Sequence, residues 1–150
     1  MEYALADLAR VTGAKRRSLQ LWADAGVITA DSLTDRAGTG THRRFSRDEA
    51  IIACVIHAFA LRQIAIGELI MISREIRKTL SSPLFKKMIF DTAIKGGENC
   101  FLVYERWKDK CRVHPFVGVA TFQQEFHHLD KPEAFAAVIN LRTYLAGLNE

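Results

Sequence analysis

The chain has 150 residues, 49% hydrophobic and 25% charged, and its 21 Lys/Arg against 17 Asp/Glu give a formal net charge of +4. That length holds one ordinary domain or two small ones, and its longest apolar run, residues 50–61 broken by His57, is short of the roughly 20 residues that cross a bilayer. No charged leader followed by an apolar stretch opens the chain, and three cysteines without a Cys-x-x-Cys pair suggest a reducing compartment and no disulfide framework, so a soluble, cytoplasmic protein with no membrane partner is expected.

In chain order, residues 3–46 predict two short helices around a turn at Thr12-Gly13, then a hairpin-like excursion ending in His42-Arg43-Arg44-Phe45. Leu5, Leu8 and Ala9 share one face of the first helix, and Leu19, Trp22 and Ala23 one face of the second, by the i, i+3, i+4 spacing. Lys15, Arg16 and Arg17 open the second helix, with Ser18 behind them. A helix-turn-helix presents side chains and backbone N–H groups to phosphates and the major groove at that place. Arg43 and Arg44, with Arg47 just beyond, follow a Gly-rich loop and form a second basic cluster, as on a wing. Residues 1–47 carry eight Lys/Arg and five Asp/Glu, a balance of +3, whereas residues 81–150 carry nine and eight, a balance of +1. A charge run is ordinarily a solvated face, but two clusters flanking one helix are the electrostatic footprint of a DNA reader.

The order Leu5-Ala6-x-Leu8-Ala9, Thr12-Gly13, Leu19-Gln20-x-Trp22-x-x-x-Gly26-Val27 and Arg43-x-Phe45-Ser46 resembles the MerR-type winged helix-turn-helix over about the first 78 residues. The resemblance implies a bacterial or phage transcriptional regulator that binds double-stranded DNA as a homodimer on the nucleoid. It makes Trp22 a buttress of the recognition helix that also touches the DNA backbone. The family commonly has Arg-Tyr-Tyr where this chain has Gln20-Leu21-Trp22, and Tyr-Arg where it has His42-Arg43, so Gln20 lacks the charge-assisted phosphate contact of that arginine.

Ser46-Arg47-Asp48-Glu49 reads as a capping box, Ser46 accepting from the Glu49 N–H and the Glu49 carboxylate reaching back to the Ser46 N–H. The helix behind it, to about Gln63, is apolar nearly all round, so it must be covered on several sides, by the helix-turn-helix on one and by the next helix or a partner chain on another. His57 reads as a core or interface histidine. Residues 67–81 predict a helix with Leu69, Ile72, Ile76 and Leu80 inward and Arg74, Glu75, Arg77 and Lys78 largely off that face. Pro83 then starts a short amphipathic helix to residue 94, with Leu84, Met88, Phe85 and Ile89 turned inward. No sustained heptad pattern follows, so the long dimer helix of typical family members is missing here.

Lys95-Gly96-Gly97-Glu98-Asn99 is a loop signal. Residues 100–107 and 111–119 are β-rich, joined by Lys108-Asp109-Lys110, and Pro115 marks an edge strand or a bulge. Residues 120–131 give no clear assignment. Residues 132–141 fit a third strand or the middle of an amphipathic helix, and Asn140 as N-cap of a last helix over 142–148 favours the strand. The fold class expected is mainly α with a small β component: a winged helix-turn-helix followed by helices and a small α+β appendage. The division is a DNA-binding unit over 1–80 and a dimerisation or effector unit over 81–150.

No nucleophile–base pair, P-loop or Rossmann fingerprint is present, so no enzyme and no cofactor is expected. His114 with His127-His128 is a poor metal cluster, because adjacent histidines diverge on strand or helix. The strand cysteines Cys100 and Cys111 read as packing residues. Phe101, Tyr104, Trp107, Phe116, Phe122 and Phe126 read as core or dimer surface before a ligand pocket, with no convergent polar set to fix a small-molecule effector. The DNA-contacting residues expected are Lys15, Arg16, Arg17, Ser18, Gln20, Trp22, His42, Arg43, Arg44 and Arg47. The leading function is a sequence-specific, homodimeric DNA-binding transcriptional regulator. An excisionase-like or architectural DNA-bending protein is the alternative, and an interaction module or effector-binding enzyme built on the second half is a third.

Overall fold

The computed structural model describes residues 2–35, 42–97, 100–108, 110–118 and 135–149. The chain opens on a short strand, β1 (Glu2–Ala4), that runs straight into α1 (Leu5–Thr12). Gly13, at φ +72°, ends α1 by donating its N–H to the Ala9 carbonyl at 3.0 Å. α2 (Arg16–Asp24) ends at Gly26, φ +76°, with the Val27 N–H donating back to the Trp22 carbonyl at 2.8 Å. Both turns need the left-handed backbone that glycine adopts without a Cβ penalty. A single turn, α3 (Ser32–Asp35), precedes β2 (Arg44–Ser46).

β2 pairs antiparallel with β1, Tyr3 opposite Phe45, and both rings are buried. The segment read as a hairpin-like excursion therefore finds its partner at the N-terminus. Three residues are too few for alternation to mark β1 in the sequence. Residues 36–41, the Gly-rich part of that excursion, lie outside the described residues.

α4 (Arg47–Ala60) is buried along almost its whole length, from Glu49 to Phe59 with His57 half-buried. Half of the expected capping box forms: the Ser46 hydroxyl accepts from the Glu49 N–H at 3.2 Å. The reciprocal bond does not. The Glu49 carboxylate instead accepts from the Thr29 N–H at 2.7 Å and from the Arg77 guanidinium at 2.7 and 2.9 Å. A two-pronged bond to a guanidinium is stronger than a neutral bond to a backbone amide.

α5 (Ile66–Leu80) buries Leu69, Ile72, Ile76 and Leu80, as its spacing predicts. Arg77, expected off that face, reaches inward to Glu49 and donates to the Val27 carbonyl at 2.8 Å. Between α4 and α5, Gln63 takes the left-handed conformation at φ +60° that closes α4.

Residues 83–94 form α6 (Pro83–Phe85), a π-helical stretch Lys86–Asp91, and α7 (Thr92–Ile94). Ile89, Phe90, Ala93 and Ile94 are buried, while Leu84, Phe85 and Met88 are exposed, against expectation for all three. The i→i+5 bonding of the π stretch widens the turn, so a pattern read at 3.6 residues assigns the wrong face.

The second sheet has the order β4-β3-β5, from β3 (Cys100–Trp107), β4 (Lys110–Val117) and β5 (Phe135–Asn140). Trp107 pairs with Lys110, so the hairpin link is two residues, shorter than the three the sequence suggests. Pro115, opposite Leu102, sits on an end strand of this sheet, the place where a residue without an N–H is tolerated. Residues 135–140 are the strand favoured above, and the Asn140 side chain accepts from the Arg142 N–H at 3.1 Å to start α8 (Leu141–Leu145), followed by a 3-10 turn, Ala146–Leu148. Phe122, Phe126, His127 and His128 lie outside the described residues.

One contiguous core runs from Tyr3 to Leu148. α4 is its axis, packed by α1, α5 and α8, so the cover its apolar circumference demands comes from this chain's own last helix.

Candidate nucleic-acid interface

Burial of Leu19 and Trp22 fixes how α2 is rotated. With those two inward, the 3.6-residue period turns Arg16, Arg17, Gln20 and Leu21 outward, and all four are exposed. Lys15 is the N-cap residue and no side chain caps the helix start. Cations and outward backbone N–H groups thus share one end of α2, the arrangement that favours anions. Ser18 is half-buried.

Arg16 and Gln20, one turn apart, line an open groove of about 430 Å³ together with His42 and Arg43 and the start of α1. Tertiary structure thus joins four of the sequence-selected residues from two segments more than twenty positions apart. Arg17 is exposed on the neighbouring face of α2 and Arg47 at the first position of α4.

The two arginines of the second basic cluster are separated. Arg43 is clamped by acids, its Nη1 at 2.6 Å from Asp24 and its Nε at 3.2 Å from Asp35. The hydrogen bond to Asp24 raises its pKa further. Arg43 and its two carboxylates together carry a charge of −1, and Asp35 also lines the groove, so the positive charge here comes from Lys15, Arg16 and Arg17 alone. Arg44 lines a different groove, of about 250 Å³, in company with Glu2, Asp31 and Glu49. Adjacent residues in extended backbone point to opposite sides, which a reading of basic clusters along the sequence overlooks.

Trp22 is 4% exposed, its ring 6.3 Å from that of His57. It lies beneath α2 in the core, in the buttress position expected for it, and little of its surface is open to solvent. Burial also lowers the His57 pKa, so its ring is neutral at pH 7. Cys54 is pushed up to about 12 by burial, and burial raises Cys100 and Cys111 as well, which keeps all three as thiols. Among the described residues no group of three His, Cys, Asp or Glu could hold a metal ion.

Sequence reasoning missed Glu49 and Arg77. Through Thr29 and Val27 this pair ties the exit of α2 to α4 and α5. The local signal pointed elsewhere, because a glutamate three residues after a serine cap has a sufficient local explanation. No protein-family model and no curated protein matches this chain.

Proposed function

We propose that the chain is a sequence-specific DNA-binding transcriptional regulator, acting as a homodimer through a winged helix-turn-helix built on α1, α2 and the β1–β2 ribbon. The observation that carries this reading is the convergence of Arg16, Gln20 and His42 on one open groove beside exposed Arg17 and the uncapped start of α2. An arginine reads guanine O6 and N7 with two bonds, and a glutamine reads adenine N6 and N7. Lys15, Arg17 and the first amides of α2 suit phosphates on either side. In this reading Arg43 is a positioning residue, because its clamp on Asp24 and Asp35 sets where the groove wall carrying His42 stands.

A homodimer is part of the proposal because one such module reaches few base pairs, and useful affinity at cellular salt takes two half-sites. The exposed side chains of Leu84, Phe85 and Met88 supply apolar surface for a second copy. The test is selection of bound duplexes from random DNA, followed by titration of the selected duplex. Arg16→Ala should weaken binding and shallow the salt dependence by about one unit of slope, if it holds a phosphate, or relax one base position if it reads a base. Recovery of no preferred duplex, or undiminished affinity in the Arg16→Ala, Arg17→Ala double variant, would overturn the reading.

A further inference from the structure

Arg16, Arg17, Gln20, Leu21 and Asp24 of α2 are exposed on its outward side. Four of them are polar. Leu21 is 57% exposed, although Leu19 and Trp22 close by in the same helix are buried. It takes no part in the core. Its carbonyl accepts from the Ala25 N–H at 2.9 Å, so it stands on regular helix whose rotation the two buried residues fix. A single exposed leucine is ordinary on a protein surface; the surroundings of this one are not. Its neighbours three and four residues away along the helix are Arg17, Ser18, Asp24 and Ala25. None of these has a large apolar side chain.

Charge limits what covers Leu21. Lys15, Arg16 and Arg17 stand before it on α2, and Asp24, one turn beyond it, is held by Arg43 at 2.6 Å. A second copy docked on this face would bring like charges together around one leucine, which is repulsive and buries little apolar area. The surround is complementary to a polyanion. In the major groove of a duplex the base edges present hydrogen-bond donors and acceptors, which leucine cannot use. They also present one apolar group, the C5-methyl of thymine.

Resting on the DNA-binding reading above, we propose that Leu21 is a specificity-determining residue that packs against the C5-methyl of a thymine in the major groove. That position of the bound site is selected for its methyl group and not for a hydrogen bond. Arg16 and Gln20, on the adjoining stripe of α2, read polar base edges, and Leu21 adds an apolar contact at a separate position. Cytosine and uracil both lack the methyl.

Deoxyuridine scanning of the preferred duplex tests the proposal. Each thymine is replaced in turn by deoxyuridine, which removes the methyl and keeps every hydrogen-bonding group of the base pair. One such replacement should weaken binding by the parent chain about fourfold, the effect of one buried methyl. Leu21→Ala should bind the thymine duplex about fourfold more weakly or worse and be insensitive to that replacement. Leu21→Met, also apolar but unbranched, should retain part of the sensitivity. Both variants should melt with the parent, because Leu21 lies outside the core. Absence of any methyl-sensitive thymine, or equal sensitivity in the parent and Leu21→Ala, would overturn the proposal. A duplex that Arg16→Ala weakens and deoxyuridine does not would overturn it while the DNA-binding reading stands. Recovery of no preferred duplex would overturn both.

Discussion

At Gly147 an added Cβ would stand 2.5 Å from the Val11 carbonyl oxygen, inside van der Waals contact with backbone that cannot swing away. The last turn of the chain reaches the end of α1 only because that position has no side chain. Gly147→Ala should therefore destabilise by about 1–3 kcal/mol. Gly67 is the internal control: it is helical, with nothing within 4 Å of a built Cβ, and Gly67→Ala should stabilise by up to about 1 kcal/mol. Thermal melts of both variants check the pair, and a shift of the same sign in both would contradict the packing described. Composition cannot distinguish these two glycines, since one is constrained by a residue more than 130 positions away. The turn at Gly13 was legible, because its need for positive φ arises within its own helix.

Helices with a pure 3.6-residue pattern were legible to within a residue or two. α5 shows where such reading stops. Its four inward leucines and isoleucines follow the spacing, yet Arg77 also points in, because Glu49 and the Val27 carbonyl wait there. Removing Arg77 leaves a buried carboxylate with one backbone donor. Arg77→Ala should cost about 2–4 kcal/mol, discounted from a fully buried pair because the guanidinium is partly exposed. Arg77→Lys should recover only part of that, since a point charge cannot serve both carboxylate oxygens and the carbonyl at once. Urea unfolding of the two variants decides it; equal stability of Arg77→Ala and parent would remove the pair from the account. The same element-scale limit applies to residues 83–94, where Met88 faces outward within the π stretch and Leu84 and Phe85 face outward just before it.

On the scale of the whole molecule, the core crosses the division at residue 80 that the sequence suggests. Leu141, Leu145 and Leu148 are buried, and the helix and turn that carry them pack on α1 and α4. A fragment ending at Gly97 exposes the surface of α4 they cover, so it should lose the cooperative melt of the full chain, and an unchanged melting temperature would refute this. What the sequence determined by itself was whatever arises from near neighbours along the chain: the periodic faces of α1, α2 and α5, the all-round apolar surface of α4, the turn at Gly13, the serine and asparagine caps, the β3–β4 hairpin and the concentration of cations at the start of α2. Only the tertiary structure decided that β2 pairs with the N-terminus, that α4 is covered by the chain's own last helix, that Arg43 spends its charge on two aspartates, and that Arg16, Gln20 and His42 share a groove. Each of these depends on a contact between residues distant in the chain, and periodicity and capping act only over the few residues a helix turn or strand pair can reach.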